Sequence, residues 1–473
     1  MIPININGSH SFTSYGWFVC LWVLTVSFQY GYHTSALNQL QAVLTCQHGG
    51  TPLIGYYGLP TCIPMSDATF SLVTSLFTVG GFFGSLFANL AMDRYGRKGA
   101  TRLSAAFNAA GAALSAVAAS VVPIALGRFL VGVAAGIGIC VGPIYLSEIA
   151  PARIKGNLGV LTQLSIVIGI MVTQGMGFGL ATPTQWRLVP FISLALSAIQ
   201  YFVCPMVAES PAYLIRNGLV NEQKAVVRRL WGDQAGSVRS DLEEHSGEPL
   251  LTPENRGDVS RNEQSAVTIP QLLASTELRR PLLTIIFAMA SQQLSGINAG
   301  KLLTILFLYY SNNILSKSLP EYAAYVSLGI TIVNFLMTFP PIFLIERIGR
   351  RQLFLLSVVG ALISHLAVGY GLNSGWVTLS SIAITTFVMS FAIGLGPIPF
   401  VIIPEVAPFH AVSAISSVGL SINWTVNFFV GLAFLQLRNF LAHGDPMKEG
   451  RVFYVFAAVL LCSTLCFSRL YRG

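Results

Sequence analysis

Two short clusters of charge carry the most legible chemistry: Asp93-Arg94-Tyr95-Gly96-Arg97-Lys98 and, 253 residues later, Glu346-Arg347-Ile348-Gly349-Arg350-Arg351. Guanidinium and ammonium groups make charge-assisted bonds to carboxylates, and acidic residues stand at Glu148, Glu209 and Glu405. Arg94, Arg97 and Lys98 are placed to pair with Glu148 and Glu209, and Arg347, Arg350 and Arg351 with Glu405. Such pairs would be latches, made in one conformational state and broken in another; the alternative is that the basic residues only fix topology. A second chemistry lies in amides inside apolar runs, Gln292-Gln293 above all. An amide donates and accepts at once, as a neutral, hydroxyl-rich ligand requires. It can equally be interhelical glue, contributing ~0.6 kcal/mol.

The elements that must position these groups are membrane helices. Of 473 residues, 53% are hydrophobic and 10% charged, against about 25% charged in soluble domains. Apolar runs near 17–36, 69–91, 103–121, 123–145, 157–180, 187–207, 281–310, 323–345, 352–372, 376–403, 412–436 and 451–470 are each long enough to cross a bilayer. They are continuous rather than alternating, which predicts helices and not barrel strands. A charge at mid-bilayer costs at least ~2.5 to 3.5 kcal/mol, so both clusters belong in short aqueous loops. Twelve spans predict an all-α polytopic membrane protein with both termini on one side.

Lys and Arg in short loops set that side. Arg94, Arg97, Lys98, Arg102, Arg153, Lys155, Arg347, Arg350 and Arg351 share one face, which the positive-inside rule makes cytosolic. The formal charge of +8 reflects this asymmetry rather than nucleic-acid binding. No basic n-region precedes the first run, so it reads as a retained span rather than a cleaved signal. The Asn7-Gly8-Ser9 sequon would then lie in the cytosol, unused. Cys46 and Cys62 share the long non-cytosolic loop, either as a disulfide or as two free thiols. The other five cysteines read as small apolar residues in spans.

Residues 209–280 hold 11 Asp or Glu and 9 Arg or Lys. They divide the chain into an N-terminal six-helix half (1–208), a cytosolic central loop (209–280) and a C-terminal half (281–473). Asn221 to Glu244 alternates apolar and charged residues at helical spacing, predicting short amphipathic helices. Ser246 to Ala266 reads as a disordered linker.

Further motifs accompany the duplicated loops. Gly127-Arg128 opens the fourth span; Pro143, Tyr145, Glu148, Pro151 and Gly156 follow; Trp186-Arg187 precedes the sixth. Glu209-Ser210-Pro211-Ala212-Tyr213-Leu214 begins the central loop, with Gln292-Gln293-Leu294-Ser295-Gly296-Ile297-Asn298 in span seven and Gly396-Pro397-Ile398-Pro399 in span ten. In this order they resemble the sugar porters of the major facilitator superfamily, which include the facilitative glucose transporters. Tyr57 to Met65 also resembles a fungal subgroup linked to the vacuole. The resemblance implies two pseudo-symmetric six-helix halves and transport of a hexose or related sugar by alternating access.

By that resemblance Gln163, Gln292, Gln293, Asn298, Asn334 and Asn423 occupy sugar-contacting positions. Phe400 stands where the family has Trp, so stacking survives without the indole donor, and Ala392 replaces a glutamate near the span-ten motif. Gly394, Gly396, Pro397 and Pro399 predict a bend there. His33 lies where proton-coupled members carry Asp and glucose facilitators Asn. It is either linked to protons, with Arg128 as the neighbouring cation, or a neutral group behaving like Asn. After the loop glutamates the family has Arg; here Lys155 follows the first and Val412 the second, leaving Glu405 short of one expected partner.

One segment is discordant. Family members pass from Asn298-Ala299 almost directly to an aromatic pair, whereas Gly300 to Leu308 precede Tyr309-Tyr310 here, with Lys301 among them. This is either a translated intron or a real insertion that alters the site. No nucleotide-binding loop, metal cluster or cofactor motif is visible, so an enzyme is not expected; the partners expected are a neutral sugar, the bilayer and, under symport, protons. The alternative function is a non-transporting sensor or trafficking factor with a porter fold. Against it, the chain ends at Arg472-Gly473 without the long cytosolic tail such sensors share. The membrane of residence is expected to be vacuolar or plasma.

Overall fold

The computed structural model describes residues 12–46, 58–151, 154–232, 267–297 and 321–471 apart from 444, 446 and 447. Asn298, the segment 300–308, the Asn7 sequon and Ser246 to Ala266 lie outside them. The first half comprises α1 (Ser14–Leu44), α2 (Asp67–Ala116), α3 (Val121–Ile149), α4 (Lys155–Leu180) and α5 (Leu188–Val203). Short helices α6 (Pro211–Arg216), α7 (Val220–Trp231) and α8 (Ile269–Ala274) follow. Then come α9 (Arg279–Leu294), α10 (Glu321–Met337), α11 (Phe339–Ile348), α12 (Arg350–Asn373), α13 (Val377–Ile393), α14 (Ile398–Val406), α15 (Val412–Ala442) and α16 (Arg451–Leu470).

The 50 residues of α2 would extend ~75 Å, against a hydrocarbon core of ~30 Å. Gly96, at φ 73° and ψ −177°, breaks it into two crossings at the first charge cluster. In span eight, α10 gives way to α11 at Thr338, ahead of Pro340 and Pro341. In span ten, α13 gives way to α14 across Gly394 to Pro397. Counting these breaks, the described helices make twelve crossings, six on each side of α6 to α8.

Between helices in lipid there is no hydrophobic drive, so close backbone approach supplies the packing. Gly80 and Gly84 of α2 lie against the backbone of Phe129 and Val133, and Gly132 and Gly136 of α3 against that of Phe77 and Gly81. A Cβ at any of the four would strike main chain. Gly31 of α1 and Gly169 of α4 meet Ile166 and Phe28 in the same way. The outer surface is apolar: Leu21, Phe87, Phe202, Phe343 and Phe440 all point away from the protein, as residues facing acyl chains do.

The basic end of the bundle is tied to the central helices. Thr13 caps α1 by accepting from Gly16 N at 3.0 Å, and its hydroxyl donates to the Arg229 carbonyl at 2.7 Å. Trp231 of α7 donates to the Ile149 carbonyl at 2.9 Å. At the opposite end Cys46 and Cys62 form a disulfide. Trp186 Nε1 donates to the Thr61 carbonyl and Arg187 Nη2 to the Pro60 carbonyl, each at 2.8 Å. The pair that the sequence left open as bridge or thiols is a bridge, and Trp186-Arg187 holds its loop to the bundle.

Candidate functional site

The amides converge on the broken backbone of span ten. With Gly394 to Pro397 outside regular helix, the Leu395 and Gly396 carbonyls are free to accept from Gln292 Nε2, at 3.1 and 2.9 Å. Asn423 of α15 donates to Gln292 Oε1 at 2.9 Å and accepts from Gln293 Nε2 at 3.0 Å. All three amides are buried. Gln163 comes from α4, in the other half, and its amide lies directly over Gly396, whose missing side chain leaves the space. Four of the seven sugar-contacting candidates therefore meet at one place between the halves.

The others are distributed differently. Phe400 is buried on the first turn of α14, just past the break. Asn334 Oδ1 is buried on α10 without a hydrogen-bond partner. Asn298 is outside the described residues. Trp424, which the sequence reading passed over, is next to Asn423 and packs edge-on against Tyr30 and Phe77 of the first half, with ring centroids 5.6 Å away in each case. Its indole N–H is buried without a partner. The only signal in the sequence was an Asn-Trp pair in an apolar run.

His33 belongs to a buried network within the first half. Its Nε2 lies 2.6 Å from the Ser193 hydroxyl, which donates to Gln29 Oε1 at 2.9 Å. Gln29 Nε2 and Asn108 Nδ2 both donate to Ser197, at 3.0 and 2.7 Å. Arg128 donates to the His33 carbonyl at 2.9 Å and stacks over the Phe77 ring at 4.7 Å. The cation thus meets the histidine main chain, and the imidazole meets a hydroxyl. No carboxylate enters this network among the described residues. A cavity of about 30 Å³, room for about one water, lies beside it, lined by Tyr32, His33, Ser115, Arg128 and Trp186.

At the basic face the two sets of ion pairs are uneven. Arg97 is fully buried and forms a two-pronged pair with Glu148, Nε and Nη2 each at 2.8 Å. Ser210 Oγ also donates to Glu148. Glu209 accepts backbone N–H bonds from Arg97, Lys98 and Ser210 at 2.9, 3.1 and 2.8 Å. Burial pushes the Glu209 carboxyl above its ordinary value, while those donors and the Arg97 charge oppose the shift. Gly96 makes this possible, because a side chain there would strike the Glu209 carboxylate. Asp93 is taken by Arg216 of α6 at 3.2 Å.

In the second cluster Arg350 holds Glu405 at 2.9 Å and Glu346 at 3.0 Å, about a quarter exposed. Three of the expected pairings take another form. Arg94 stacks on Tyr95, Lys98 reaches Glu209 only through its backbone, and Arg351 donates to Ser468. Arg347 makes no ion pair among the described residues. Glu405 is also less deprived than Val412 suggested: Lys155, at the start of α4, lies within electrostatic reach of both Glu148 and Glu405. Gly156, beside it, rests against the Glu346 carboxylate and the Arg350 guanidinium. The neighbouring cation comes from the opposite half, which spacing along one half does not reveal.

Comparisons with known proteins agree with this architecture. The profile of the family described as "Sugar (and other) transporter" matches residues 19–470. A probable metabolite transport protein of Saccharomyces cerevisiae is 31% identical over 443 residues, 92% of this chain and 87% of that protein. Vacuolar protein sorting-associated protein 73 of the same yeast is 30% identical over 455 residues, covering 93% and 90%. Facilitated glucose transporter member 3 of Canis lupus familiaris is 32% identical over 448 residues, covering 92% and 85%. Among solved structures, the proton:xylose symporter XylE bound to 6-bromo-6-deoxy-D-glucose superposes with a TM-score of 0.74 over 97% of this chain and 96% of its own, at 17% identity. The fold is the twelve-helix major facilitator fold.

Proposed function

The chain belongs to the sugar porter family of the major facilitator superfamily, and from that premise we propose that it carries a hexose or related neutral sugar by alternating access, as a uniporter. It is a multi-pass integral membrane protein and a transporter rather than an enzyme. Residues 1–208 and 281–473 are the two moving halves, 209–280 is their cytosolic connector, and both termini lie in the cytosol. The observation that carries the reading is the meeting of Gln163 from one half with Gln292, Gln293 and Asn423 from the other at the Gly396 break. Binding groups split between the halves are what alternating access around a fixed site needs. Asn298, Asn334 and Phe400 complete the sugar contacts. Arg94, Arg97, Lys98, Glu148, Lys155, Glu209, Arg347, Arg350, Arg351 and Glu405 form the cytosolic gate.

Uniport is favoured over symport because the His33 partner is the Ser193 hydroxyl. A neutral imidazole suffices for that bond, and Arg128 next to it bonds the His33 main chain rather than the ring. A non-transporting trafficking role is the second reading, favoured by one yeast relative being named for vacuolar protein sorting and by Ala392 and Val412 in place of charged family residues. The same name points to the vacuolar membrane ahead of the plasma membrane.

The test is counterflow of radiolabelled glucose, xylose and a polyol in proteoliposomes holding the purified full chain. Saturable exchange competed by unlabelled sugar is expected, and in vesicles not preloaded with sugar uptake should equilibrate without accumulation under an imposed pH gradient. Folded, reconstituted protein that moves none of them would overturn the proposal and leave the trafficking reading.

A further inference from the structure

We propose that the basic-face start of the second arm of α2, with the end of α5, binds the phosphate of an anionic membrane phospholipid. Lys98 and Arg102 are four residues apart and so share one face of that arm. The Arg102 guanidinium lies over the Tyr201 ring at 4.4 Å, and its Nη2 donates to the Tyr201 hydroxyl at 3.0 Å. Lys98 Nζ reaches the Pro205 carbonyl at 3.5 Å. Both cations are therefore held toward α5, and neither has a carboxylate within ion-pair distance among the described residues. Glu209, whose carboxylate meets the Lys98 main chain, is already occupied by three backbone N–H groups.

What borders the two cations identifies their partner. Phe202 and Met206 are 76% and 65% exposed, and they continue an outward apolar strip with Phe191 and Ile199 along α5. In a transmembrane helix such a strip faces acyl chains. Arg102 is five residues beyond Arg97, about 7.5 Å along the span, a depth from which a long side chain snorkels to the headgroup layer. Positive charge beside the basic-face end of an acyl-facing strip matches a molecule with a phosphate at one end and hydrocarbon at the other. A soluble anion satisfies only the first feature. Each basic residue near a membrane surface strengthens binding of anionic lipid about fivefold, so the pair predicts a preference of about 30-fold.

The experiment titrates phosphatidylserine and phosphatidylcholine onto the detergent-purified full chain and counts retained lipids by native mass spectrometry. The wild type should retain phosphatidylserine preferentially. R102Q should lower that preference about fivefold and K98Q/R102Q about 30-fold, with R102K close to wild type. If R102Q does not elute as a folded monodisperse species, K98Q alone should still show about a fivefold loss. Equal retention of the two lipids by the wild type overturns the proposal. So does an unchanged preference in the variants, or complete displacement of phosphatidylserine by millimolar inorganic phosphate, which would make this a site for a free anion.

Discussion

Gln292 shows how a single side chain is committed in this protein: both Nε2 hydrogens go to the carbonyls of Leu395 and Gly396, and Oε1 accepts from Asn423. Gln292→Ala removes a group proposed to contact sugar and leaves those buried carbonyls and Asn423 unsatisfied, at about 1–3 kcal/mol for each stranded group. Its KM for sugar is expected to rise at least about tenfold in counterflow assays, corresponding to about 1.4 kcal/mol. His33→Asn, in contrast, keeps a neutral partner for Ser193; transport should keep its rate and its pH profile, and a lost pH-dependent accumulation would instead establish proton coupling. Such residues were legible because an amide or imidazole stands out in an apolar run. Trp424 was not, since a tryptophan there reads as one more apolar side chain. Its unpartnered N–H is visible only once Tyr30 and Phe77 are seen to surround it.

Among elements, the α2 and α3 pair is the most demanding. Gly84→Leu places a side chain against the Val133 main chain, where no rotamer can yield. It should lower the detergent melting temperature by more than about 5 °C. Gly175→Leu, facing open space on α4, should change it by less than about 2 °C. Scanning fluorimetry of the two variants checks the contrast. The glycines and the bend at Gly394 to Pro397 could be read from residue type alone, because the backbone itself dictates them. Helix ends were less accessible: the first apolar run, 17–36, is part of a helix reaching from Ser14 to Leu44. Hydropathy registers the bilayer and not the polar continuation beyond it. The Cys46–Cys62 bridge was undecidable in sequence for a related reason, since the loop end that carries Cys62 is held by Trp186 and Arg187, far along the chain. Cys62→Ser should cost about 2–4 kcal/mol, seen as a lowered melting temperature that reducing agent does not lower further.

For the whole molecule, the duplicated charge clusters announced two halves but not how they engage. The ion pair of the first cluster, proposed as a latch, is buried and two-pronged, whereas Arg350 in the second remains partly exposed. Breaking a buried pair by removing one partner costs about 3–5 kcal/mol, and that cost falls on the state in which Arg97 and Glu148 meet. Arg97→Ala should therefore shift the population toward the inward-open state and slow transport. Cysteine labelling of basic-face positions should become faster; an unchanged labelling pattern would sink the latch assignment. The second cluster is bordered by the first half through Lys155 and Gly156, although its ion pairs, Arg350 with Glu405 and Glu346, stay within its own half. That cross-connection could not be foreseen by comparing one cluster with its copy.

The relay of bonds from Gln293 through Asn423 to Gln292, and on to the Leu395 and Gly396 carbonyls, bears on the return journey of an unloaded carrier. Under the proposed uniport each cycle is completed by reorienting empty, and amides stripped of sugar would burden that leg if they faced hydrocarbon alone. Here they answer one another, so the vacant protein has its own stand-in for the sugar hydroxyls. The empty return should then run nearly as fast as the loaded passage, and sugar on the far side should accelerate exit only slightly.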